Sequence, residues 1–313
     1  MPALKSIVKR TAAVADRVAP PPAGVTILIY HRVGGGSDSD VDLPVEQFEQ
    51  QLDHLTRHHR VISLDQAVAE LTAGLPAGWA TSTSTTTTTT TGSGNGDGSG
   101  SDGESVSGDG SDPASANVDV DERRPVVITF DDGTADFTEH AVLALVRHGL
   151  PATLYVATQF VESGEPFPWG APPASWSALR DAAADASIDI GSHTHAHWLM
   201  DRLDPAMVDA DLDRSIELIG EHIGTAPAHF AYPKAVVGSP SAEVAVRRRF
   251  RSAALATSRV NRVGRTDAHR LWRTPVQRSD DHDTFVRKAD GGLRLEGELR
   301  WLVARARYRG AEQ

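Results

Sequence analysis

From Pro125 onward the chain alternates short apolar runs with longer amphipathic ones, and that alternation restricts it to a parallel sheet covered by helices. Residues 125–130 read as a buried strand, and 136–148 as a helix stopped at Gly149. Strands follow at 152–157, 188–191, 229–232 and 252–257, with helices at 176–184 and 241–250 between them. A longer helix has Asp204 as cap and Pro205 as first residue. It carries Val208, Leu212, Ile216, Ile219 and Ile223 on one stripe and ends at Gly224. Such units build either a doubly wound sheet or a (β/α) barrel, complete or not, and both gather chemistry at the carboxyl ends of the strands.

The N-terminal part adds a strand at 26–30, a helix after Pro44 using Phe48, Leu52 and Leu55, and a helix capped by Ser63 using Ala67, Val68 and Leu71. These are too few elements for a core of their own. Between them and Pro125 lies a tract, about residues 77–120, of threonine followed by irregular Gly, Ser and Asp. It lacks the apolar area to offset roughly 1–2 kcal/mol of backbone entropy per residue, so disorder is expected. The expected organisation is therefore a tail at 1–24 and one catalytic domain at 25–313, interrupted by that insertion.

The same tract explains the charge. From Thr81 to Glu122 there are eight acidic and no basic residues, so about −3 of the formal −11 belongs to the rest of the chain. The run Arg247, Arg248, Arg249 and Arg251 reads as the solvated face of a helix, and no nucleic-acid partner is expected. There is no cysteine, which excludes disulfides, thiol nucleophiles and Cys-based metal sites. No run has the length of a signal peptide or a membrane span, and a cytoplasmic protein is expected.

Asp131 and Asp132 follow the 125–130 strand directly. Adjacent carboxylates at a strand end call for a cation, and a metal allows one Asp to ligate while the other accepts a proton. An aspartyl-phosphate enzyme would need its two aspartates separated by one residue, which these are not. After the 188–191 strand come His193, His195 and His197. His193 and His197, four apart, would share a face on a helical turn and so a metal, while His195 faces elsewhere and reads as structural. Asp plus two His leaves open positions for water, as in a catalytic zinc site; iron, cobalt or nickel would also suit the set.

The runs Thr129-Phe130-Asp131-Asp132-Gly133, His193-Thr194-x-x-His197 and Phe230-Ala231-Tyr232-Pro233 resemble, in order and spacing, the motifs of the polysaccharide deacetylases, carbohydrate esterase family 4. The contexts 29–33, 190–194 and 273–276 are similar to that family too, so the resemblance spans about 25–278 apart from the tract. It implies a distorted or incomplete (β/α) barrel that removes N-acetyl, or alternatively O-acetyl, groups from an amino-sugar oligo- or polysaccharide. It further implies a divalent metal, zinc first, on Asp132, His193 and His197, with Asp131 as general base. Tyr232, Pro233 and Lys234 fall where the family places its oxyanion and substrate contacts, with the backbone N–H near Lys234 as donor.

Two departures matter. The arginine that orients the base is absent from the third motif, which makes Arg273 the candidate substitute. The family's Leu-x-His general acid is missing near the C-terminus, leaving His31, His269 and His282, of which His31 is preferred because it ends a strand. Trp169, Trp176 and Trp198 are either packing residues or sugar platforms. Two other readings stand beside the hydrolase: a carbohydrate-binding protein on a decayed catalytic fold, and a deacylase of a small non-sugar amide.

Overall fold

The computed structural model describes residues 12, 16, 19–73 and 121–308. The described residues before Thr81 and after Glu122 form one compact unit. The tract expected to be disordered lies outside the described residues.

The strands are β1 (Thr26–Tyr30), β2 (Arg32–Val33), β3 (Asp42–Leu43), β4 (Arg60–Val61), β5 (Pro125–Phe130), β6 (Ala152–Val156), β7 (Ile188–Ser192), β8 (His229–Ala231), β9 (Ser252–Ala254) and β10 (Arg273–Pro275). Seven of them run in parallel in the order β10-β1-β5-β6-β7-β8-β9, with β4 paired to the start of β5. A parallel bridge from Ala254 to Leu271 joins β9 to the residues leading into β10, so the sheet nearly closes into a barrel. The doubly wound alternative is thereby excluded.

Period-two alternation sorts the strand residues. Ile27, Val127, Tyr155, Ala231 and Ala254 cluster together with Leu271, and Leu64, Ala67 and Leu71 pack onto them. Leu28, Tyr30, Ile128, Phe130, Leu154 and Ile190 belong to a larger cluster shared with the helices. Both strand faces are covered, which is why 26–30 and 126–130 are buried throughout.

The helices are α1 (Val45–His58), α2 (Leu64–Thr72), α3 (Val142–His148), α4 (Thr158–Ser163), α5 (Trp176–Ala183), α6 (Pro205–Ile223), α7 (Pro240–Arg249), α8 (His282–Ala289) and α9 (Arg294–Tyr308). Local chemistry sets several ends. Ser63 and Gln66 form a reciprocal capping box on α2. Asp204 caps α6 and Gly224 ends it in a left-handed conformation. The expected helix at 136–148 instead opens with a π turn, Phe137–Ala141, before α3. Helices α4, α8 and α9 are additions to the sequence reading. The arginine run lies on and just after α7, where Arg247, Arg249 and Arg251 pair with Asp267, Asp213 and Asp65.

Candidate active site

The carboxyl end of β5 delivers Asp131 and Asp132, and those of β7 and β8 deliver the histidine loop and Tyr232–Lys234. Asp131 is buried, and its backbone N–H donates to the Tyr30 carbonyl. Arg273 is wholly buried at the start of β10. Its Nη1 and Nη2 donate to the two Asp131 carboxylate oxygens at 2.6 and 2.8 Å, and its Nε donates to the Leu255 carbonyl at 3.1 Å. The guanidinium also lies 5.1 Å from the centre of the Tyr155 ring. Burial pushes the Asp131 carboxyl up, but the Arg273 charge and then His193 outweigh it, leaving it below its ordinary value.

Asp132 faces both histidines, whereas Asp131 approaches only His193, its Oδ2 3.8 Å from Nε2. The Asp132 Oδ1 is 3.7 Å from His193 Nε2 and 3.4 Å from His197 Nε2. Burial opposes ionisation of Asp132, yet the His197 hydrogen bond and the neighbouring imidazoles hold it well below the usual carboxylate range. Burial drives the His193 imidazole down to about 4, so it is neutral near pH 7, as a ligand must be. Its Nδ1–H donates to the Ala231 carbonyl at 2.8 Å, which turns the Nε2 lone pair toward Asp132.

Asp132, His193 and His197 each offer an atom, all within 4.8 Å of one another, the one such group among the described residues. Ligand bonds of roughly 2.0–2.2 Å in a tetrahedron place donor atoms about 3.3–3.6 Å apart, close to the separations from Asp132. The donor set therefore fits a divalent metal.

The two histidines do not sit on a helical turn, as their spacing suggested. They flank a loop after β7 in which Thr194 and His197 have φ of 69° and 59°. The Thr194 hydroxyl accepts from the His197 N–H at 2.9 Å. Asp211 of α6, buried, accepts from the backbone N–H groups of His195 and Ala196 at 2.9 and 2.8 Å. The sequence reading missed Asp211; its signal is a carboxylate on the buried stripe of α6, between Val208 and Leu212. His195 packs in the loop with Nδ1 2.9 Å from the Thr158 hydroxyl.

Lys234 and Ala235 have φ of 54° and 56°, and Asp132 has 76°. Of six described non-glycine residues with positive φ, five lie in or directly after these three motifs. Each such conformation costs on the order of 1–3 kcal/mol, and strain of this kind collects where geometry serves a site. The Tyr232 side chain packs into the helix layer, in a cluster with Met200, Val208, Leu212 and Phe230. Pro233 is buried and opens a 3-10 turn, and the Lys234 ammonium stands 5.1 Å from the Trp169 ring centre.

His31 follows β1, and its Nδ1 is buried without a hydrogen-bond partner. It lies near enough for its charge to act on both Asp131 and Asp132. The two other acid candidates are engaged elsewhere. His269 Nε2 meets the Phe250 carbonyl at 2.8 Å, and the His282 ring sits against His54. Trp169 is half-exposed with its ring 6.2 Å from that of His197, whereas Trp176 stacks on His222 and Trp198 is at the surface.

No helix among the described residues is long and apolar enough to cross a membrane. No curated protein matches the sequence. Solved structures similar in fold include IcaB from Ammonifex degensii (21% identity over 86% of this chain and 97% of that one, TM-score 0.62). The deacetylase PplD from Streptococcus pyogenes, in complex with acetate, matches at 14% identity over 86% and 99%, TM-score 0.61. The BpsB deacetylase domain from Bordetella bronchiseptica matches at 17% over 82% and 98%, TM-score 0.54. These likenesses concern the fold. Residues 119–252 match the family model for polysaccharide deacetylase. By that match, over somewhat less than half of the chain and carried on a barrel of the same architecture as those structures, the chain is similar to the polysaccharide deacetylases, a family of hydrolytic enzymes.

Proposed function

We propose that the protein removes N-acetyl groups from an amino-sugar-containing oligo- or polysaccharide, using zinc or a similar divalent metal held by Asp132, His193 and His197. Removal of O-acetyl groups is the alternative reaction of the same site. The observation that carries this reading is the division of labour between the adjacent aspartates: Arg273 engages both oxygens of Asp131, while Asp132 faces the two imidazoles.

A bound metal would supply Lewis acidity, acidifying a water and polarising the acetamide carbonyl. Asp131, kept ionised and oriented by Arg273, accepts the proton of the attacking water as its oxygen bonds to the acetyl carbon. The acetyl oxygen then carries negative charge, and the backbone N–H of Lys234 donates to it. As the carbon–nitrogen bond breaks, His31 gives a proton to the leaving amine. The free amine departs with acetic acid, which loses the second water proton to solvent to become acetate; Asp131 returns its proton to solvent, and His31 takes one up.

The test is acetate release from N-acetylglucosamine oligomers by zinc-loaded protein, beside Asp131→Asn and His193→Ala. Release by wild type and by neither variant is expected. No release from a wild type that binds metal stoichiometrically would move the substrate to O-acetyl or non-sugar compounds.

A further inference from the structure

We infer that Asp211 is a positioning residue that sets the spacing of His193 and His197 before any metal arrives. This rests on the metal-site reading above. The two ligands are separated by only three residues, yet both rings must turn to one point, with centroids 4.9 Å apart. The loop achieves this with left-handed residues at Thr194 and His197, one on either side of His195 and Ala196. Those two middle residues direct their N–H groups at one carboxylate, one to each Asp211 oxygen, at 2.9 and 2.8 Å.

A carboxylate suits this task because it accepts at both oxygens; an amide of the same shape would present an N–H₂ to one of the two donors. Asp211 is 7% exposed and sits on α6, which also packs on β7 through the Ser215–Ser192 hydroxyl pair at 2.8 Å. The grip therefore comes from a rigid helix fixed to the same strand that launches the loop. On the opposite side the start of α4 holds the loop, with the Thr158 and Gln159 N–H groups donating to the carbonyls of Thr194 and His195 at 3.3 and 2.9 Å. The Asp211 hydrogen bonds go to the backbone of His195 and Ala196, so it acts through the chain between the ligands.

Zinc affinity of the metal-free protein, measured by chelator competition, tests the role with Asp211→Asn and Asp211→Glu beside wild type and His193→Ala. Asp211→Asn is expected to weaken zinc binding on the order of 10-fold or more, the scale of outer-shell changes at metal sites. Asp211→Glu, which keeps both acceptors, is expected to recover part of it. Amide hydrogen exchange on metal-free wild type supplies a reading that needs no variant to fold. The His195 and Ala196 amides should exchange slowly without zinc. Exchange at open-loop rates until zinc is added would overturn the inference, as would an Asp211→Asn protein that binds zinc like wild type. Failure of wild type itself to bind zinc better than His193→Ala would overturn the metal reading, and this role with it.

Discussion

Arg273 and Asp131 stand 142 residues apart and meet in the barrel interior through two hydrogen bonds of 2.6 and 2.8 Å. Both groups are removed from water, so each is tolerable only because of the other. Arg273→Ala should therefore destabilise the fold by about 3–5 kcal/mol, read as a denaturation midpoint, because it strands a buried carboxylate. Arg273→Lys keeps the charge but loses the planar fork. It should lower kcat on the order of 10²-fold through misorientation of the base, with a smaller loss of stability. A lysine variant with full kcat would mean that orientation by two bonds is unnecessary.

The adjacent aspartates should separate experimentally. Asp131→Asn is expected to retain one metal per chain while losing roughly 10²–10⁴-fold in kcat, the scale of a general base. Asp132→Asn should lose the metal as well. Metal content by elemental analysis, run beside acetate release, checks both. Equal metal loss in the two variants would contradict the assignment of one base and one ligand.

Asp65, in the first turn of α2, accepts from His229 and pairs with Arg251. The His229 hydrogen bond, opposed by burial and aided by the charges of His229 and Arg251, pulls its carboxyl down to about 2. Because the folded value lies below the ordinary carboxylate value near 4, the unfolded chain binds more protons between the two. The stabilisation is thus complete above about pH 4 and fades as pH falls toward 2. The side chain is half-exposed, so solvent screening limits its worth to about 1 kcal/mol or less. Urea midpoints of Asp65→Asn and wild type should differ at pH 6, less at pH 3, and converge only near pH 2. A gap that widens in acid would reverse the argument.

Strands from both sides of the low-complexity tract are paired residue by residue, Thr26 with Val126 through Tyr30 with Phe130. We propose that the tract interrupts one domain and contributes nothing to its core. Removing residues 81–116 should leave the melting temperature within a few degrees and the activity intact, because the loop-closure term changes slowly with length. A collapse of the melting transition would require a structural role for that segment.

Most barrel strands and several helix ends were legible because their causes are local. Runs such as 125–130 need only apolar side chains and flanking turns, and the ends of α2 and α6 follow from Ser63, Asp204, Pro205 and Gly224. The π turn at Phe137 was not legible, since nothing in 136–148 breaks a helical pattern. Nor was the shape of the histidine loop. Spacing of four suggested a helix, but the loop is bent by hydrogen bonds to Asp211 and Thr158, which belong to other elements.

By itself the sequence determined the alternation of the main strands and helices, the resemblance to a deacetylase family, and the small set of residue types able to hold a metal without cysteine. Tertiary structure alone decided how Arg273 reaches both oxygens of Asp131, that His269 and His282 are engaged elsewhere, and that Tyr232 turns its ring into the helix layer. The reason is physical. Strand and cap signals are short-range and survive in any context, whereas pairing a buried charge depends on which side chains a closed sheet brings together across more than a hundred residues.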